Sequence, residues 1–325
     1  MLDGRSESLV IVIAVMLAVS LTTVCLRCFV RLRITRKFGW DDALMVLAMV
    51  FNLAFAICGL IGATFGIGKR TTYFASRPSD YQRALLCWWL GQIFYILTTT
   101  TMRQSIVILL FRFTLERIHK VVLWTVSILS FVVGIIFLFF TIFQCSPVDH
   151  YWKRLTIRGS CIDIDVLTDI VYFYSAVAAA CDLTIGLLPA FLIRRLRASI
   201  RTKVGIAVIL GIGCVASAAV IVRIPFLHSL KSAEFLHATS QVAIWSNIEA
   251  SLGITAGSLA PLRPLCNLST SCSFPKPKQA LARIRSFQIP GKRRKVEVHS
   301  VPATDSGVSH VSDVERSRDI NDGEP

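Results

Sequence analysis

The sequence predicts an all-α membrane protein, a bundle of seven transmembrane helices with an extracellular amino terminus and a cytosolic, disordered carboxyl-terminal tail. Three observations predict it. The 325 residues are 54% hydrophobic and only 17% charged, with a mean hydropathy of +0.62, where soluble domains carry about 25% charged residues. Seven apolar segments reach or approach the ~20 residues that a helix needs to cross the hydrocarbon. The Lys and Arg residues gather in the short polar pieces between those segments, which is how membrane proteins encode their orientation.

The segments run Leu9–Leu26, Ala43–Ile67, Ala84–Phe111, Val121–Phe143, Val166–Ile193, Val204–Leu227 and Val242–Leu262. Residues 1–8 then form a short extracellular terminus, 9–265 the seven-helix domain and 266–325 the tail. The first segment is expected to be a retained span rather than a cleaved signal peptide. Asp3 and Glu7 offset Arg5 and the terminal amine, where a signal peptide has a positive leader. Pro189 in the fifth segment and Pro225 in the sixth are positions at which a helix kinks. Gly205, Gly211 and Gly213 give the sixth a small-residue face suited to close packing.

Of the 35 Lys and Arg residues, 24 lie on the side of the first, third and fifth loops and the tail, nine lie on the side of the amino terminus, and Arg103 and Arg223 fall inside segments. Basic loops stay in the cytosol, so the amino terminus is expected outside, in a protein of the plasma membrane. The net charge of +15 thus reports orientation in a lipid bilayer, not nucleic-acid binding. Past Pro264 the composition turns to Ser, Pro and basic residues, with Gly291-Lys292-Arg293-Arg294-Lys295 as the densest run. Such a tail is expected to be disordered, its basic run drawn to anionic lipid.

Between the fourth and fifth segments lie Phe143-Gln144-Cys145-Ser146-Pro147, Trp152 and Gly159-Ser160-Cys161-Ile162-Asp163. Four crossings return this loop to the side of the amino terminus. Outside the cytosol Cys145 and Cys161 can be oxidised together, and closing so short a loop contributes roughly 3 kcal/mol in the chain-entropy model. Cys87, near the same end of the third segment, is a rival partner.

Four ionisable residues fall inside the segments: Arg103, Asp182, Arg223 and Glu249. Charges at such positions are costly and face the bundle interior or a wet cavity. Counting back from the cytosolic loops places Arg103 and Asp182 at matching depths within roughly 5 Å, at 1.5 Å per helical residue. Arg223 and Glu249 fall toward the outer ends of neighbouring antiparallel segments. Two opposite-sign pairs are therefore expected to form an intramembrane polar network.

All ten lysines lie in loops or the tail. A covalently held retinal needs a lysine in a span for its Schiff base, so no such cofactor is expected. The ten cysteines include one C-x-x-C string, Cys25-Leu26-Arg27-Cys28, with no second pair to make up a metal-ligand set. No H-E-x-x-H, G-x-S-x-G or phosphate-loop string occurs, and an enzymatic role is not expected.

Taken together, the motifs resemble the fungal rhodopsin domain family of seven-span membrane proteins, which includes receptor-like proteins of filamentous fungi. The matching pieces are Gly39-Trp40-Asp41-Asp42, Arg103-Gln104-Ser105 through Arg112, Cys145-Ser146-Pro147 with Trp152, and Gly159-Ser160-Cys161-Ile162-Asp163. They continue with Asp182 through Leu188-Pro189, then Ser217 with Arg223, Trp245, Ile248-Glu249 and Leu262-Arg263-Pro264-Leu265, in the family's order. The resemblance implies a receptor-like bundle whose ligand and signalling partner are undefined. An Asp-Arg-Tyr string after the third segment and Asn-Pro-x-x-Tyr in the seventh do not occur, so the switch residues of animal receptors do not carry over.

The expected function is a receptor-like sensor, of the type coupled to G proteins, for an unknown extracellular ligand. Its cytosolic partner would be a heterotrimeric G protein or another signalling protein. The alternative is a small-solute transporter built as three plus one plus three helices, hinted at by Arg31-Leu32-Arg33 and Arg195-Leu196-Arg197 after the first segment of each set of three.

Overall fold

A computed structural model describes residues 5–194, apart from positions 115 and 155, together with Val222 and residues 235–262. These belong to one compact unit, Met1–Cys272; the other, Ser273–Pro325, lies outside the described residues. So do the sixth segment, with Arg223, Pro225 and its glycines, and the tail from residue 266.

Helix α1 spans Arg5–Phe29 and widens into a π-turn at Val30–Ile34. Helix α2 spans Trp40–Phe65, α3 Pro78–Phe113, α4 Arg117–Ile142 and α5 Ile164–Arg194. After a single turn, α6 at Phe235–Ala238, comes α7 at Ser240–Leu259 in place of the seventh segment.

 Helix α7, Ser240–Leu259, ends in a 3₁₀ turn at Ala260–Leu262. Among the described residues, five helices (α1 to α5) are long and apolar enough to cross a membrane. Pro189 lies within α5, which continues past it to Arg194.

Local chemistry sets the helix ends. Gly39 caps α2, its N–H donating to the Asp42 carboxylate at 3.0 Å, a side chain reaching back from the first turn. At the other end of α2 the chain leaves through Gly66 at φ 111°, a left-handed position that suits glycine. Pro78 opens α3, where its missing N–H costs nothing.

The bundle buries its polar groups and turns apolar ones outward. Ile128, Phe131, Ile136 and Phe139 on α4 are exposed, as are Ile11 and Val15 on α1 and Phe173 on α5. Inside lie Arg27, Asn52, Arg103 and Glu249. In α3, 56% of the apolar window is buried, against 22–33% in the other four candidate spans, so α3 is the axis of the bundle. It packs against α2, α4, α5 and α7. The α3–α4 contact is close because a side chain at Gly134 would collide with Thr100. Gln104 and Ser127 join the same helices by reciprocal bonds of 3.1 and 2.5 Å.

The helices alternate, so one end of the bundle gathers the start of α1, the end of α2, the start of α3 and the loop after α4. Ser6 donates its hydroxyl to the Ile67 carbonyl at 2.8 Å, and Gly68 N–H donates to Leu236 O at 3.0 Å. Leu9, Ile67, Trp88, Cys145, Tyr151 and Leu236 form one apolar cluster there.

Candidate functional site

Arg103 lies on one face of α3 with Tyr95 and Thr99, because residues four apart stack on a helix. Its Nε is 2.7 Å from Asp182 Oδ1 on α5, and its Nη2 is 2.9 Å from Oδ2. This two-point match suits the planar guanidinium and a carboxylate. The same Nη2 lies 3.5 Å from Glu249 Oε1 on α7. The Tyr95 hydroxyl completes Glu249, at 2.9 and 2.8 Å from its two oxygens. Tyr174 on α5 closes the group, its hydroxyl 3.4 Å from Thr99 Oγ1. One guanidinium thus serves two carboxyl groups contributed by two other helices. Arg103 and Glu249 are each 2% exposed, so neither can find water in place of its partner.

Toward the end of the bundle that holds the start of α1, this network meets a cavity of about 100 Å³. Phe55, Trp88, Gln92, Tyr95, Tyr174 and Asn247 contribute to its lining. Tyr95 and Tyr174 therefore belong to both cavity and network. Phe137 stacks on Tyr174 with ring centroids 4.1 Å apart and holds that wall from α4.

At the same end, the loop after α4 folds into a two-residue strand pair, β1 at Cys145–Ser146 and β2 at Ser160–Cys161. Cys145 and Cys161 lie directly opposite in the antiparallel register and are disulfide-bonded, with Cα atoms 4.0 Å apart. Cys87 is a free thiol. Pro147 caps a 3₁₀ turn at Val148–Tyr151. Tyr151 is buried in the apolar cluster, which pushes its phenol up from the ordinary tyrosine range. Trp152 packs on Trp89 at 5.2 Å, and Trp89 Nε1 donates to Thr141 O at 3.0 Å. A side chain at Gly159 would strike His150 and the Ser146 carbonyl.

The opposite end of the bundle holds a second ion cluster. Arg27 Nε is 2.8 Å from Asp42 Oδ1, its Nη2 is 2.9 Å from Asp41 Oδ2, and its Nη1 donates to Gly257 O on α7 at 2.7 Å. Arg31 pairs with both carboxylates at 3.3 and 3.2 Å. Arg112 at the end of α3 pairs with Asp41 Oδ1 at 2.6 Å, and Ser105 Oγ donates to the Asp41 carbonyl at 2.6 Å. Arg27 is fully buried, and α1, α2, α3 and α7 meet on it and its two carboxylates. Counted from its apolar run alone, Arg27 belongs to the first loop. The structure instead extends α1 past it. Its signal in the sequence was its place four residues before Arg31, on the same helical face, with Asp41 and Asp42 opening the next helix.

The structure therefore brings Arg103, Asp182 and Glu249 together, with the expected Arg103–Asp182 pair among their contacts; Arg223, the expected partner of Glu249, lies outside the described residues. Asp41 and Asp42 sit at the end of the bundle away from that network. Trp40 is 81% exposed beside them, and Trp245 is half-buried on α7. Among the described residues no group of His, Cys, Asp and Glu has the arrangement of a metal site.

Comparison with known proteins places this geometry in a lineage. The fungal rhodopsin domain model matches residues 26–268. The wortmanamides biosynthesis cluster protein C of Talaromyces wortmannii is 25% identical over 250 residues, 76% of this chain and 67% of the relative. The fugralins biosynthesis cluster protein 2 of Gibberella zeae is 28% identical over 111 residues, 34% of this chain and 27% of the relative. No solved structure matches the chain.

Proposed function

We infer the role of this chain from two facts: it belongs to the fungal rhodopsin domain family, and its cavity and buried ion network share Tyr95 and Tyr174. It is a receptor-like membrane protein that senses a small molecule without retinal. Tyr95 carries the inference. Its ring lines the cavity while its hydroxyl holds Glu249, which Arg103 links to Asp182. A ligand pressing on Tyr95 acts on α3, α5 and α7 together. It shifts the bundle by as much as its contacts differ between the two arrangements.

The balance of basic loops supports an extracellular amino terminus and a cytosolic tail at the plasma membrane. In that orientation the Arg112 end of the bundle faces the cytosol, offering basic loops to an acidic signalling partner such as a heterotrimeric G protein. Both relatives bear the names of biosynthesis clusters, and for this chain we take the cue to be a small metabolite.

The test combines a cleavable tag before Met1, a biotin ligase fused after Pro325, and proteoliposomes given radiolabelled fungal metabolite extract. A sensor in this orientation loses its tag to protease in intact cells, biotinylates a G-protein α subunit, and takes up no label. Protection of the tag would reverse the orientation. Accumulation of label would replace the sensor with the transporter of three plus one plus three helices.

A further inference from the structure

Three residues that line the cavity each carry a buried polar atom without a hydrogen-bond partner from the protein: Trp88 Nε1, Gln92 Oε1 and Asn247 Oδ1. Trp88 is 8% exposed and Asn247 1%, so solvent does not serve them. Nearly all buried polar groups are paired, because leaving one unmade costs more than a bond gains. Elsewhere Trp89 Nε1 is paired with Thr141 O and Gln104 with Ser127, while Asn52 Oδ1 and Gln144 Nε2 are also unpartnered; what distinguishes Trp88, Gln92 and Asn247 is that all three residues line one cavity. Three exceptions around one cavity point to a partner that enters it.

The atoms also specify that partner. Trp88 and Gln92 are four residues apart on α3, so their side chains are neighbours on one face, with Cβ atoms about 6 Å apart. One offers a donor and the other an acceptor, and Asn247 adds an acceptor from α7. All three are dipoles, and the walls around them are mostly apolar, from Phe55, Ile96 and Phe137. The neighbouring charges are already engaged, Glu249 with Tyr95 and Arg103, and Arg103 with Asp182. A charged guest would lose its hydration and find no free counter-charge among these groups.

We propose that the cavity binds a small uncharged ring compound carrying an amide-type group. Its carbonyl accepts from Trp88 Nε1, its N–H donates to Gln92 Oε1 or Asn247 Oδ1, and its ring lies against the aromatic walls. Since an amide presents both a donor and an acceptor, it satisfies either orientation of the Gln92 and Asn247 side-chain amides. A dry cavity of ~150 Å³ takes benzene; this one, at about 100 Å³, is smaller, so a ring with its amide group enters only as the walls move outward to expose the three polar atoms. Binding rests on these atoms alone; only its consequence rests on the sensing role proposed above.

The test uses the full chain in lipid nanodiscs, titrated with benzamide, toluene, benzoate and benzylammonium, and read by calorimetry and by thermal unfolding. Benzamide should bind and raise Tm more than toluene, and the two ions should do neither. Trp88→Phe, Gln92→Met and Asn247→Leu should each weaken benzamide roughly fivefold to tenfold, the worth of one hydrogen bond, and leave toluene unchanged. Gln92→Met and Asn247→Leu should also raise the Tm of the unliganded protein, since each removes a buried atom with nothing to bond. That opposite sign separates loss of binding from loss of fold. No benzamide binding up to its solubility, equal protection by toluene, or benzamide affinity unmoved in folded variants would overturn the proposal. Benzamide binding alongside a failed biotinylation test would keep the site and discard the sensor; the reverse would keep the sensor and discard this ligand class.

Discussion

The hydroxyl of Tyr95 lies 2.9 and 2.8 Å from the two carboxyl oxygens of Glu249, across the interface between α3 and α7. Both residues are buried, and only Tyr95 also touches the cavity. Tyr95→Phe keeps the ring and deletes that bond. Glu249 then retains, of these two contacts, only Arg103 at 3.5 Å. The expected loss is about 1–3 kcal/mol, the cost of an unmet buried polar group. It should appear as a lower unfolding temperature in nanodiscs, and an unchanged temperature would mean that Glu249 has another support.

Arg27 and Arg112 both contact Asp41, yet they should respond very differently to removal. Arg27 is buried and serves Asp41, Asp42 and the Gly257 carbonyl at once. Arg27→Ala takes from two buried carboxylates their one fully buried cation and leaves them the more exposed Arg31 and Arg112. The expected loss lies toward the lower end of the range typical of a broken buried pair, about 3–5 kcal/mol. Arg27→Lys should recover only a small part, because one ammonium cannot reproduce a fork reaching three acceptors. The Arg112 side chain is 42% exposed, and for such a pair the loss is ~0–1 kcal/mol. Yields of monodisperse protein on size-exclusion chromatography would rank the three variants, and equal yields would contradict the assignment.

How much of this was legible in the sequence differs from residue to residue. Arg103 and Asp182 were matched by counting turns back from basic loops, which works because helical rise is constant. The contact of Glu249 with Arg103 was not legible, since depth along a helix says nothing about which neighbour its face meets. Arg27 was misplaced because the apolar run stops at Leu26 while α1 continues to Phe29; the carboxylates that let it stay buried come from α2, across a turn. Cys145 and Cys161 were legible from their shared loop. The cavity was not, because the unmet state of Trp88, Gln92 and Asn247 depends on all the helices around them.

The disulfide gives a third expectation. With Cys145 and Cys161 opposed in register, non-reducing peptide mapping should recover a peptide joining them and leave Cys87 free to alkylation. Replacing both with serine removes a cross-link worth roughly 3 kcal/mol in the chain-entropy model. The unfolding temperature should fall accordingly, and reduction of the unmodified protein should lower it by a similar amount. A peptide linking Cys87 to either loop cysteine would require a different arrangement of this end of the bundle.

Arg103 and Asp182 provide the strictest test, because the geometry makes them one unit. The pair is bidentate at 2.7 and 2.9 Å, with the Arg103 side chain 2% and the Asp182 side chain 15% exposed. Arg103→Ala leaves Asp182 and Glu249 without their shared cation, and Asp182→Ala leaves Arg103 leaning on Glu249 at 3.5 Å. The first loss should therefore be the larger, near the upper end of about 3–5 kcal/mol, and the second smaller. The double variant should be more stable than the sum of the single losses predicts, by an interaction energy of about 0.5–3 kcal/mol. Adding Glu249→Gln to Arg103→Ala should recover more, since it removes the charge of the second carboxylate that loses Arg103. Surface delivery and unfolding temperature across these variants measure each step. Simple additivity of the Arg103 and Asp182 losses would show that the two side chains stand close without depending on each other, and the path from Tyr95 to α5 would then have to run through Tyr174 and Thr99.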